Sequence, residues 1–374
     1  MRLCLRPVAA AILLWIVSAV PLRASIVSDA EIGRILAERV EAKQAIGLVV
    51  GVIGPEGRRV IAQGRLERGK EQPPDRDTLF EIGSITKIFT ALLLVEMAGR
   101  GELALDDPVE KLLPSGIKVP ERGRAITLMD LSNHRSGLPR LPSNFKPIYW
   151  SNPYADYTVA ALYEFLGEHK LRREVGTTYE YSNLGVGLLG HALALRAGKD
   201  YETNLRERVL APLALNDTRV ALSPEQAARL APGHNRSLTP TPNWDLPTLA
   251  GAGALRSSAA DLLAFLSVCL GFSESSVAPV VDKTLASLWP REGGGYQALG
   301  WQVSGGGARQ ITWHAGGTGG YRSFIGMLRQ QRTGVVVLSN AAIGIEDIGF
   351  HLLDPRRPLT APIPADREAP AANR

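Results

Sequence analysis

Cysteine is almost absent from this chain: Cys4 and Cys269 are the only two among 374 residues. Cys4 precedes the first apolar run, too early to serve as a lipid-attachment cysteine, and it would leave with a cleaved leader. Cys269 would then stand alone, which excludes an internal disulfide and leaves packing to hold the fold. Runs of lysine and arginine are also missing beyond the N-terminus, so a nucleic-acid partner has no electrostatic footprint. The six histidines show no His-Glu-x-x-His or comparable spacing, which argues against a bound metal, and no cofactor is expected. No Gly-x-Ser-x-Gly occurs, so a nucleophile elbow is excluded. "GGTGG" lacks the Gly-Lys-Ser/Thr ending of a phosphate-binding loop. His134, His169, His191, His234 and His351 read as surface or packing residues. With 45% hydrophobic and 21% charged residues, nothing suggests disorder, repeats or a coiled coil.

A long apolar run is missing too. The longest, "VAAAILLWIVSAV", has 13 residues, short of the roughly 20 that a spanning helix needs. It follows the basic "MRLCLR" and precedes "PLRAS", the order of a secretory signal peptide. Cleavage near Ala24 predicts a periplasmic or secreted protein with no stable membrane anchor; an uncleaved anchor is the weaker alternative. Cleavage removes Arg2, Arg6 and Arg23, and the formal charge falls from +5 to +2.

What is present is a β-rich start and end around a helical middle. Ser28 caps an expected helix, Ser28 to Ala45, with Ile32, Ile35, Leu36 and Val40 on one stripe. "GLVVGVIG", the turn "PEGR" and "RVIAQG" read as a hairpin. Ile85 to Ala98 is apolar on nearly every side, the pattern of a fully buried helix. Leu105 to Asp245 reads as helices and long loops, including "TVAALYEFLGEH", "NLGVGLLGHALALRAG" and a Pro- and aromatic-rich loop through Tyr154. A capped helix, "SSAADLLAFLSVCLG", precedes four β-like runs, "GWQVSG", "RQITWHAGG", "YRSFIGMLRQ" and "TGVVVLSN". The expected fold is α/β: an antiparallel sheet built from N- and C-terminal strands, flanked by helices, plus an all-helical lobe. The expected division is leader 1–24, sheet domain 25–104 and 246–354, helical lobe 105–245, and Pro-rich tail 355–374. A monomer is expected, with a ligand cleft between the lobes.

Three Ser-x-x-Lys tetrads occur: Ser84 with Lys87, Ser115 with Lys118, and Ser143 with Lys146. Only Ser84 opens a long buried helix. Residues at i and i+3 share a helix face, so Ser84 and Lys87 sit side by side where unpaired amides carry partial positive charge. Such an amide can receive an oxyanion on an acyl group attached to Ser84. Burial pushes a lysine toward its neutral form, able to take the hydroxyl proton. The bland alternative is that Ser84 caps the helix and Lys87 reaches water; two residues before "FTALLLVEM" there is no water to reach, and an unpaired buried charge is costly.

"YEYSNLG" holds the only Tyr-x-Asn among nine tyrosines, Tyr181 and Asn183. In an extended stretch the two share a face. Tyr181 becomes a base if a cation lowers its pKa, and Asn183 can bond a lysine and a substrate amide. A Tyr/Asn pair that only stabilises a turn, with Ser182 or Asn183 as helix cap, is an equal alternative. In "WHAGGTGGY", His314, Gly316 and Gly317 lie on an expected edge-like strand where a substrate backbone can pair. Gly317 offers a second oxyanion amide; the alternative is a flexible Gly-rich hairpin.

Together these elements resemble the serine β-lactamase and penicillin-binding family, in its class C branch, which also holds DD-peptidases and esterases. "FEIGSITKIFTALLL", "GELALDDPV", "ITLMDLSNHRSGLP", "YEYSNLGVGLLGHAL", "APLALNDT", "AGAGALRSSAADLLAFL" and "HAGGTGGY" occur in family order. The resemblance implies a β-lactamase/transpeptidase-like fold. It implies Ser84 as acylated nucleophile, Lys87 as its proton partner, Tyr181 as general base and Asn183 as ligand of the substrate amide. The Ser84 and Gly317 amides would form the oxyanion hole.

The chain departs from the class C pattern at His314-Ala315-Gly316, where Lys-Thr-Gly is usual. A neutral imidazole attracts a carboxylate less than an ammonium does, and Arg309 and Arg322 are the candidate replacement cations. The family's glutamine after "GLP" is also missing, since "RLPSN" follows. Three expectations result: a serine hydrolase acting on β-lactams, a D-alanyl-D-alanine carboxypeptidase or esterase with the same acylation, or a non-catalytic binding protein of the cell envelope. In each the partner is a small molecule, peptide or ester.

Overall fold

The computed structural model describes residues 27–360, so the expected leader 1–24 and the end of the expected tail lie outside the described residues. The strands are β1 (Gly47–Gly54), β2 (Gly57–Gly64), β3 (Leu79–Glu81), β4 (Arg256–Ser258), β5 (Trp289–Pro290), β6 (Tyr296–Gln297), β7 (Gln302–Ser304), β8 (Ile311–Gly317), β9 (Arg322–Leu328) and β10 (Thr333–Ser339). The main helices are α1 (Asp29–Glu41), α2 (Thr86–Gly99), α3 (Leu128–Ser132), α4 (Val159–Glu168), α5 (Asn183–Ala197), α6 (Ala259–Cys269) and α7 (Glu346–Leu353).

Eight strands form one antiparallel sheet in the order β2-β1-β10-β9-β8-β7-β6-β5, while β3 and β4 pair apart from it. The β1–β2 hairpin joins the C-terminal strands through β1, with Leu48 opposite Ser339. The period of two along β1 sorts its side chains between two cores. Leu48, Val50 and Val52 pack with α1 and α7; Val49 and Ile53 pack with α2 and α6. Gly51 marks the close approach of α6, because a Cβ there would lie 2.9 Å from Leu263 Cδ1.

Ser28 Oγ accepts the Glu31 amide and starts α1. The helix stops at Glu41 rather than running to Ala45, because Lys43 turns to φ +56° and the Gln44 amide returns to the Arg39 carbonyl. α2 lies inside the molecule, with every residue from Thr86 to Met97 buried. Residues between α2 and β4 form α3 to α5, shorter helical turns and long loops.

One local expectation changes. The strand carrying His314 to Gly317 is interior, between β7 and β9. It is edge-like only in part: three-residue β7 pairs no further than Trp313, so His314 to Gly317 pair with β9 alone.

Candidate active site

The site is built on the turn that enters α2. Gly83 adopts φ +49°, and a Cβ on it would lie 2.7 Å from the Gly317 nitrogen. Only glycine lets these two backbones meet without strain. A single 3-10 turn, Gly83–Ile85, then leads into α2. Neither N-terminus receives a side-chain cap, so Ser84 is not a helix cap.

The Ser84 hydroxyl is shared instead by two partners. Tyr181 Oη lies 2.7 Å from Ser84 Oγ, and Lys87 Nζ lies 3.0 Å from it. Lys87 is 1% exposed, and its amine also reaches Asn183 Oδ1 at 2.9 Å and the Ala252 carbonyl at 2.7 Å. All three partners, a hydroxyl, an amide oxygen and a backbone carbonyl, are neutral. Burial, with the charge of Arg140 behind it, therefore holds its pKa well below the usual lysine range. Burial thus favours the uncharged form of the amine.

Tyr181 and Asn183 flank the start of α5. Ser182 is extended and caps the helix, its Oγ accepting the Gly185 amide at 2.8 Å. The condition for Tyr181 as a base, a phenol pKa lowered by a cation, is not what the surroundings produce. Burial pushes the Tyr181 phenol up, outweighing its bond to Ser84 and the nearby charge of Arg140. Lys87 Nζ is 4.9 Å from the ring centroid, and burial works against its charge as well. In the resting site burial thus favours the protonated phenol and the uncharged amine.

The β8 residues separate. Gly317 lines the crevice with Gly83, Ser84, Tyr154, Asn183, Trp244, Leu246, Ala252, Gly253 and Thr318. Gly316 instead lets β8 lie against the Ile82–Gly83 turn: a Cβ there would lie 2.0 Å from the Ile82 carbonyl oxygen. His314 is buried, its ring 6.3 Å from that of Tyr181. Its Nδ1 donates to the Ala315 carbonyl, and burial above all pushes its pKa down to about 3. His314 therefore carries no charge at neutral pH. Arg309 sits in a separate surface hollow with Asp354, Arg356 and Arg357. Arg322 pairs across the strands with Gly317 and donates to the Thr318 and Tyr321 carbonyls, so of the two candidate cations it is the one beside the crevice.

Several site residues carry no advance signal. Tyr154 Oη accepts from Asn183 Nδ2 at 3.1 Å; the aromatic loop was visible in sequence, but not which ring turns inward. Trp244 packs on Tyr154 with centroids 5.4 Å apart. Its amide donates to Glu81 Oε1, and Glu81 pairs with Arg256. Arg140 covers the Tyr181 ring at 5.1 Å. His134, read as a packing residue, is buried against the same ring with centroids 4.5 Å apart.

Comparison with known proteins finds relatives of this chain. The family profile described as Beta-lactamase matches residues 32–350. The D-alanyl-D-alanine-carboxypeptidase/endopeptidase AmpH of Escherichia coli K12 is 32% identical over 229 residues, 59% of this chain and 57% of that protein. The match thus spans little more than half of that relative's length. The Beta-lactamase of the same organism is 26% identical over 281 residues, 72% of this chain and 69% of that protein. The crystal structure of a class C beta lactamase from Rhodobacter sphaeroides superposes with a TM-score of 0.74 at 27% identity, covering 88% of this chain and 97% of that one.

Proposed function

This chain belongs to the beta-lactamase family, and within it we propose a serine hydrolase that forms an acyl-enzyme at Ser84. The observation that carries the proposal is the convergence of Lys87 Nζ and Tyr181 Oη on one hydroxyl, at 3.0 and 2.7 Å. Ser84 gives its proton to the neutral Lys87 amine while Oγ attacks the substrate carbonyl carbon. The Ser84 and Gly317 amides receive the oxyanion. As the carbon–nitrogen or carbon–oxygen bond breaks, Tyr181 protonates the leaving atom and recovers a proton from the Lys87 ammonium. Water then repeats the sequence against the ester, and Ser84 takes back its proton. Asn183 holds the amine in place and presents its amide to the substrate.

The first reading for the substrate is a β-lactam, which the E. coli Beta-lactamase, aligned over 72% of this chain, supports. A second reading, a D-alanyl-D-alanine peptide or an ester, is favoured by the uncharged His314 and by the name of AmpH. Intact mass followed after mixing with penicillin separates them. An adduct that forms and decays supports β-lactam hydrolysis; a lasting adduct beside peptide or ester cleavage supports the second reading. No adduct, or an adduct that persists in Ser84→Ala, refutes acylation at Ser84, and the first of these restores the non-catalytic binding protein.

The chain is also read as an exported monomer cleaved near Ala24. Its sheet domain would comprise 25–104 and 246–354 and its helical lobe 105–245. No helix of the described residues is long and apolar enough to cross a membrane.

A further inference from the structure

His134 occupies an unusual place. α3 ends at Ser132, Asn133 follows as its cap, and His134 turns to φ +63°. The Arg135 amide then returns to the Asp130 carbonyl at 2.8 Å. That is the helix ending in which the left-handed residue is usually glycine. The ending is closed by backbone atoms and has no need of an imidazole.

The ring is engaged elsewhere. It lies against the Tyr181 ring, centroids 4.5 Å apart and planes 34° from parallel. His134 also grips the backbone on both sides of that tyrosine. Its carbonyl accepts the Glu180 amide at 2.8 Å, and its Nδ1 accepts the Ser182 amide at 3.2 Å. The donated Ser182 proton leaves the ring hydrogen on Nε2, which has no partner among the described residues. A protonated ring would present a second hydrogen to the Ser182 amide, and burial together with the charges of Arg291 and Arg140 opposes that charge.

We propose that His134 is a positioning residue for Tyr181: its ring and its two backbone-directed bonds set the phenol against Ser84 Oγ. This rests on the acylation proposed at Ser84. Tyr181 itself leaves the chain in a loop, one residue before the extended cap of α5, so its own element does not hold the ring. A phenol displaced by about 1 Å is expected to slow proton transfer by up to about a hundredfold while leaving substrate binding alone.

The test uses His134→Gly, which keeps the left-handed backbone and the carbonyl but removes the ring. Acylation by a penicillin probe is resolved into a rate constant and a dissociation constant. The expected result is a rate about tenfold or more lower, with dissociation within about twofold of wild type. In a Tyr181→Phe background the same change should cost nothing further, because the ring would have no phenol to aim. His134→Asn, which also tolerates positive φ, replaces the glycine variant if that one fails to fold. A wild-type acylation rate in the folded variant, or an equal loss in the Tyr181→Phe background, overturns the proposal. If wild type itself forms no adduct, the proposed function falls. The positioning role is then decided by the Tyr181 ring resonances in NMR, which must shift in His134→Gly and refute it if they do not.

Discussion

Replacing Lys87 by methionine keeps an unbranched apolar stem and removes the amine. The effect on stability can be worked from the site. Lys87 is 1% exposed, and burial holds its pKa well below that of a free lysine. In the unfolded chain the amine returns to a pKa of about 10.4. Between the folded and unfolded values the unfolded chain binds one more proton than the folded chain. Raising the pH through that window removes this advantage of the unfolded state, so wild type gains stability at up to about 1.4 kcal/mol per pH unit. Methionine contributes no such slope. The unfolding free energy of wild type minus that of Lys87→Met should therefore rise as the pH is raised toward the unfolded lysine pKa, in the range below where tyrosines titrate. Urea midpoints at half-unit pH steps measure it. A flat difference, or one that falls with pH, would show that the buried amine is charged and would sink the mechanism proposed for Ser84. In the same protein the acylation rate should drop by about 10² to 10⁴-fold.

Three further outcomes follow from the same contacts. Gly83→Ala places a Cβ 2.7 Å from the Gly317 nitrogen at φ +49°; it should cost about 1–3 kcal/mol and abolish probe labelling, and a labelled, fully stable variant would contradict the close approach. Glu81→Ala leaves the Arg256 guanidinium without its buried carboxylate and the Trp244 amide without its acceptor. A loss of about 3–5 kcal/mol in chemical unfolding is expected, and a loss under about 1 kcal/mol would refute the pairing. Because His314 ionises only near pH 3, His314→Gln should leave the shape of the kcat/KM profile between about pH 5 and 8 unchanged; an inflection near 6.5 that disappears in the variant would show that His314 titrates there.

Much of the scaffold was readable residue by residue. The β1–β2 hairpin, the buried α2 and the start of α5 follow from an apolar run ended by a turn, all-round apolarity and a cap at Ser182 or Asn183, which are properties of neighbouring residues. The pairing of Ser84 with Lys87 is of the same kind, since three positions along a helix fix a shared face. Local pattern failed where a strand's neighbours mattered: the small residues of β8 suggest an edge, yet its sheet position depends on β7 and β9, and only its last residues are free on one side.

The chain's local chemistry determined which hydroxyl and which amine stand together, and that the segment carrying them is buried. Tertiary structure decided the rest. It brought Tyr181 onto Ser84 across 97 residues and the Ala252 carbonyl onto Lys87 across 165. A backbone carbonyl has no residue signature, so no motif could announce it. It also set the direction in which the Tyr181 phenol shifts, because desolvation sums over everything packed around a group, whereas a sequence pattern names only the neighbours along the chain.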